Sequence, residues 1–338
     1  MNLKRLGILA SVLAFSYSNS CSAQKPEASS PNGKGMHADK QASYVEEQDI
    51  EDAAEKYALI VIGDTQGFRL KDAIKPLDER FVNSIWLDAP YVYTSLKELG
   101  FKKENIRVLV PEAKPDFDDP QMAAALQELK EEQFDGKYDN LARKANIIDA
   151  ISHFDIDEND TFVLAISSHL NGWSGGISLS ADCDDLYADE IDSLLDITVP
   201  EKGLFFLDIC GSGKFISGLS LEDYVVVAST KGDKNGWTDR NFSNIRYFFQ
   251  NLADMRADKN FDGKVSIKES FYKTRKDARA HMKSIDSFLI EYFGGAANKK
   301  NEMKDYSIMM KMVVGENSSG DMWLSDWAYP FEWKYSEK

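Results

Sequence analysis

Short, continuous apolar runs recur along the chain, and each is closed by polar or turn-forming residues. Residues 57–67 read YALIVIGDTQG, 106–110 IRVLV, 161–169 TFVLAISSH, 203–208 GLFFLD and 224–230 YVVVAST. Runs of this length with no polar alternation predict strands buried on both faces, as in a parallel sheet. Between them, apolar residues recur at intervals of three and four. That spacing predicts helices over 81–101, closed by Gly100 as a C-cap, over 139–154 and over 187–197. Strands alternating with helices from 57 to 230 predict an α/β unit, with a mostly parallel central sheet and helices on both faces. Sites in such sheets lie beyond the carboxyl ends of the strands. That rule selects Asp64, His169, Cys210 and Ser229.

The ends of the chain break this pattern. Lys4 and Arg5 precede an apolar stretch from Leu6 to Phe15 and then small polar residues, the order of a secretory signal over residues 1–20. The stretch is too short to span a bilayer, which takes about 20 residues. Cys21 follows Ser18-Asn19-Ser20, which resembles a bacterial lipoprotein box. Cleavage before Cys21 would allow lipid attachment there, and cleavage after Ala23 would release a secreted protein. Both outcomes place the protein outside the cytoplasm, in a bacterial cell envelope or beyond it. A lipid at Cys21 would be its one membrane contact. Residues 21–56 are rich in Ser, Pro, Gly and charge and read as a disordered tether. Residues 111–138, acidic and broken by Pro111, Pro115 and Pro120, read as a surface insertion. From 244 to 338 the pattern turns helical and ends in a strand-like DYSIMMKMVV at 305–314, which completes the domain begun at 57–243.

Composition narrows the function. A net charge of −16 repels nucleic-acid phosphate, so no nucleic-acid partner is expected. The glycine-rich stretch after the 203–208 strand is not a phosphate loop. Aligned on Gly213-Lys214, the first glycine of that motif falls on Asp208 and its hydroxyl on Phe215. No GxGxxG follows the first strand either, so no organic cofactor is expected. Cys183 and Cys210 are the cysteines that remain after Cys21. They can form one bridge, or leave a reactive thiol in an exported protein.

The thiol reading has a partner. His169 ends one strand and Cys210 follows the end of another, and in a parallel sheet the two strands can be neighbours. A thiol beside an imidazole can become the thiolate that attacks a carbonyl. Backbone N–H groups in the glycine turns that follow, Gly211 among them, can hold the resulting oxyanion.

The blocks SSHLNG (167–172) and LDICGSGKF (207–215) resemble the caspase-like cysteine peptidases, in particular the legumain branch and its bacterial relatives. VVVASTKGDKNGW resembles the next strand and substrate-facing loop of that family. The resemblance implies a three-layer αβα sandwich. It also implies a cysteine endopeptidase acting on protein or peptide substrates, with Cys210 as nucleophile and His169 as general acid/base. The N–H groups of Cys210 and Leu170 would form the oxyanion site. Asp208 would lie near the pocket for the P1 side chain, with Ser229 and Asp64 also facing substrate. The implied P1 residue is basic, matching the Asp208 carboxylate, or Asn. Two departures stand out. The family has Gly directly after its His, where this chain has Leu170. It also has Asn after the first strand, where this chain has Asp64. The alternative is an inactive relative that binds protein or peptide partners at the cell surface.

A second motif is independent of the first. DKNFDGKVSIKE (258–269) fits the EF-hand calcium loop at every fixed position. Asp258, Asn260 and Asp262 would supply oxygens, Gly263 the sharp turn and Lys264 its carbonyl. Ser266 sits at position nine, and Glu269 would close the site with two oxygens. No paired second loop is present in the sequence: 155–166 begins similarly but lacks the glycine and the closing glutamate. The expectation is one structural calcium ion.

Overall fold

A computed structural model describes residues 54–63, 84–111, 120–133, 140–171, 175–179, 184–216, 219, 224–230, 236, 238–239, 241–292, 295–297 and 311–314. The chain divides into two units, residues 1–54 and 55–338. The signal segment, Cys21, the tether, Asp64 and Cys183 lie outside the described residues.

The apolar runs form the strands they predict. They are β1 (Lys56–Ile62), β2 (Ile106–Leu109), β3 (Thr161–Ser167), β7 (Lys202–Asp208) and β8 (Tyr224–Ala228). A six-stranded sheet has the order β2-β1-β3-β7-β8-β9, where β9 is Lys311–Val314. All neighbours are parallel except β8 and β9, which are antiparallel. Every residue of β3 and β8 is buried, which explains the absence of polar alternation.

Side chains alternate between two helical layers. Ala58, Ile60 and Ile62 of β1 face the same core cluster as Val163 and Ala165 of β3 and Leu204 and Phe206 of β7. That cluster packs under α1 (Asp88–Glu98), α6 (Asn244–Ala253) and Phe271 of α7 (Ile267–Ser284). The opposite positions, such as Tyr57 and Phe162, stack with Phe154 at 5.4 and 6.1 Å between ring centroids. Phe154 directly follows α3 (Lys144–His153). The fold is thus a mostly parallel α/β sandwich. Among the described residues no helix is long and apolar enough to cross a membrane.

One expectation is corrected. Within 111–138, read as a surface insertion, α2 (Pro120–Gln133) forms and buries Leu126 and Leu129 in the core. Tyr93 of α1 donates to Glu132 at 2.6 Å. One turn of apolar spacing was enough to anchor a helix whose remaining surface is acidic.

β4 (His169–Leu170), β5 (Ile177–Ser178) and β6 (Asp185–Leu186) form a small antiparallel sheet. Then follow α4 (Ala188–Leu195), α5 (Ser212–Ile216) and, after α7, α8 (Asp286–Tyr292).

Candidate active site

The site follows from strand register. β3 and β7 are parallel neighbours with Ser167 opposite Asp208, and the Ser168 N–H donates to the Asp208 carbonyl at 3.2 Å. His169 and Cys210 each come two residues beyond that matched pair. Adjacent strands lie about 4.8 Å apart, so both residues follow the same carboxyl edge of the sheet, His169 in β4 and Cys210 in the turn after β7.

Beyond Asp208 the chain turns sharply. Gly211 has φ +69°, a conformation that side chains disfavour, and the turn leaves Cys210 at its apex before α5. A hydroxyl cluster fixes the turn to the end of β8. The Ser212 N–H donates to Thr230 Oγ1 at 3.1 Å, and the Thr230 N–H to Ser212 Oγ at 2.9 Å. Ser229 Oγ lies 3.4 Å from both Ser212 Oγ and the Ile209 carbonyl. Ser212, Ser229 and Thr230 are all fully buried. Ser229, expected to face substrate, is instead fully buried behind the Cys210 turn. Ser212 and Thr230 were not singled out in the sequence, although C-G-S-G and the A-S-T strand end are what bring them together.

Asp208 also differs from its expected place. Its Oδ2 accepts the Ile245 N–H at 3.0 Å, at the start of α6, and Ser229 hydrogen-bonds the same carboxylate. Burial pushes the Asp208 carboxyl up to about 6, with the nearby Asp88 charge adding to the effect. Asp208 Oδ2 is therefore engaged by a helix N-terminus, while the residue itself is partly exposed.

Cys210 is a free cysteine and partly exposed. Its Sγ accepts the Gly236 N–H at 3.3 Å. Burial pushes the thiol upward and the Asp208 charge adds to this, while the Gly236 N–H pulls the other way. Burial and the Asp208 charge favour the thiol over the thiolate.

The direction of the Leu170 N–H follows from hairpin alternation. Asn171 N–H donates to the Gly176 carbonyl at 2.8 Å, and Leu170 pairs with Ile177 one step along. In an antiparallel ladder, bonded and non-bonded pairs alternate. The Leu170 N–H therefore turns away from β5, toward the outer edge of β4, and Leu170 achieves this without positive φ. The close approach of β1 to this hairpin requires Gly63: a Cβ there would come within 2.2 Å of Ser168 Oγ and 2.3 Å of the Ser178 carbonyl.

The 258–269 loop lies apart in sequence, between α6 and α7. Asp258 Oδ1 and Oδ2 accept the N–H groups of Phe261 and Gly263 at 2.7 and 3.0 Å. Asn260 Oδ1 accepts from Asp262, and Asp262 Oδ1 accepts from Lys264. Phe261 and Gly263 have φ +60° and +85°. The backbone thus wraps around the Asp258, Asn260 and Asp262 side chains. Glu269 reaches back to the N–H groups of Lys259 and Asn260 and also completes a capping box with Ser266 at the start of α7. The side-chain oxygens are less well gathered. Asp262 Oδ2 accepts from Asn260 Nδ2, and among the described residues no three His, Cys, Asp or Glu side chains converge to hold a metal ion.

No protein-family model and no curated protein sequence matches the chain. Among solved structures the chain is similar to caspase-1 from Spodoptera frugiperda, at 15% identity and TM-score 0.39, over 78% of this chain and 89% of that one. The chemistry of the site rests on this chain's own residues.

Proposed function

We propose that the protein is a cysteine endopeptidase acting through Cys210 and His169. The observation that carries this reading is the placement of both residues, two positions past a register-matched pair, at one edge of the parallel sheet. His169 takes the thiol proton as sulfur attacks the peptide carbonyl, and the oxyanion is held by backbone N–H groups. The outward Leu170 N–H and the N–H groups of the Cys210-Gly211 turn are the donors available. His169 then protonates the leaving amine, and water hydrolyses the thioester. With the thiol favoured in these surroundings, imidazole has to remove its proton during attack.

The engagement of Asp208 by Ile245 and Ser229 weakens the case for a basic P1 residue, since its carboxylate is already hydrogen-bonded. Peptides with Arg, Lys, Asn and Asp at P1 therefore form the test panel. Wild-type protein is expected to cleave at least one and to be labelled by a thiol-directed acyloxymethyl ketone. Cys210→Ala is expected to lose both, with an unchanged melting temperature. A wild-type protein that is neither labelled nor active on any of the four would end the peptidase reading. The second reading, an inactive relative that binds peptides, draws on the raised thiol and on Leu170 in place of glycine.

We further propose that the 258–269 loop takes one calcium ion. Asp258, Asn260, Asp262 and Glu269 would bind through side chains and Lys264 through its carbonyl, with Ser266 at the ninth position. The support is the full sequence pattern together with the wrapped backbone of the loop. The ion would fix the loop between α6 and α7 and take no part in the reaction.

A further inference from the structure

Beneath the candidate dyad lies a charge that the proposed reaction does not use. Asp88, at the start of α1, is fully buried. Its Oδ2 accepts the Ser167 hydroxyl at 2.7 Å. Its Oδ1 accepts the Ser243 hydroxyl at 2.6 Å and the Arg246 Nη2 and Nε protons at 3.1 and 3.3 Å. Arg246 is equally enclosed: Nη2 also donates to the Ser84 carbonyl at 3.1 Å, and its guanidinium lies 5.3 Å from the Tyr91 ring centre.

The partners of Asp88 occupy particular places. Ser167 is the last residue of β3, two before His169. Ser243 is the N-cap of α6, and its Oγ accepts the Arg246 N–H at 3.2 Å. The same helix end donates the Ile245 N–H to Asp208, two residues before Cys210. One carboxylate therefore ties the strand that leads to the imidazole to the helix that holds the strand leading to the thiol. A buried ion pair is weak support for stability alone, because desolvation offsets much of its attraction. Apolar residues could fill this space, but they could not hold two hydroxyls at fixed positions.

We propose that Asp88 is a positioning residue, which sets the separation of His169 and Cys210 through Ser167 on one side and through Ser243, Arg246 and α6 on the other. This rests on the Cys210–His169 reading of the site. Asp88 acts through other residues and touches no substrate.

Removing Asp88 itself strands a buried Arg246, and such a variant can fail to fold. The test therefore uses Ser167→Ala, which cuts one link and leaves the ion pair. Ser167→Thr keeps the hydroxyl. Ser270→Ala is the control, a buried serine on α7 bonded to the Phe248 carbonyl. The measurements are melting temperature, kcat and KM on the cleaved peptide, and the pH dependence of Cys210 alkylation by iodoacetamide. Wild type is expected to show an alkylation step from the imidazole, separate from thiol ionisation. Ser167→Ala is expected to lose that step and to lower kcat about 10- to 100-fold at unchanged KM, the scale of a small misplacement of reacting groups. Ser167→Thr should recover both, and Ser270→Ala should keep both despite a similar fall in melting temperature.

A Ser167→Ala protein with the wild-type alkylation profile overturns the proposal. So does a wild type without the imidazole step, because there is then no dyad to position. If wild type shows the step but cleaves no peptide, the peptidase reading fails while the alkylation profiles still decide the role of Asp88.

Discussion

At the scale of single residues, Asp208 shows how a strand end can mislead. The sequence places a carboxylate two residues before the candidate nucleophile, and electrostatics suggests a basic P1 partner. Its direction is set by α6, whose N-terminus arrives from more than 30 residues downstream and takes Oδ2 by the Ile245 N–H. No local pattern contains that information. Cys210 follows the end of β7 as the apolar pattern expects, whereas His169, expected to end β3, opens β4 of the small sheet two residues later. Ser229 shares the strand-end signal, yet the hydroxyls of Ser212 and Thr230 draw it inward.

The enclosure of Asp208 has a measurable consequence. An unfolded Asp titrates near 3.9, whereas burial pushes Asp208 up to about 6. The native state therefore holds this proton more tightly than the unfolded chain. The stabilisation is complete below about pH 4 and is lost as pH rises through about 6. The difference is worth about 3 kcal/mol. Asp208→Asn keeps an acceptor for the Ile245 N–H and cannot ionise. Its melting-temperature advantage over wild type should be smallest below about pH 4, grow between about pH 4 and 6, and level off above about pH 6.5. A difference that does not change with pH would show that Asp208 ionises like an exposed carboxyl.

At the scale of elements, the β-strands were read well because burial on both faces leaves an unbroken apolar run. α2 was missed because its polar residues outnumber the Leu126–Leu129 anchor and prolines precede it. The 258–269 loop was read through one motif although the sequence holds two. Ser266-Ile267-Lys268-Glu269 forms a capping box for α7 and also fits the end of the calcium-loop pattern. The two roles of Glu269 differ in what removal of metal does. If the loop takes calcium, adding the ion should raise the melting temperature and a chelator should lower it. Asp258→Ala should abolish that difference. A melting temperature indifferent to calcium and chelator would leave the cap as the whole explanation of the motif.

At the scale of the molecule, the parallel order β2-β1-β3-β7-β8 extends a pattern visible in the alternation of strands and helices. The closing strand was visible only as a strand-like run at 305–314, with no indication of its neighbour or direction. β9 follows α6, α7 and α8 along the chain and pairs antiparallel with β8, with Val225 opposite Val314 and Ala228 opposite Lys311. Its importance follows from what it covers. β8 is Tyr-Val-Val-Val-Ala, wholly buried, with no charge and no proline to discourage pairing. An uncovered apolar edge of this kind is a template for another chain. A chain ending at residue 300 keeps all the residues of β1 to β8 and of the candidate dyad, but leaves the β8 edge unpaired. It should leave size-exclusion chromatography as larger species than the full chain. A synthetic peptide covering 305–318 should return it toward the size of the full chain by adding the missing strand. If the shortened chain elutes like the full chain with an unchanged melting temperature, β9 is dispensable, and the β8 edge must be protected by its own twist and flanking loops.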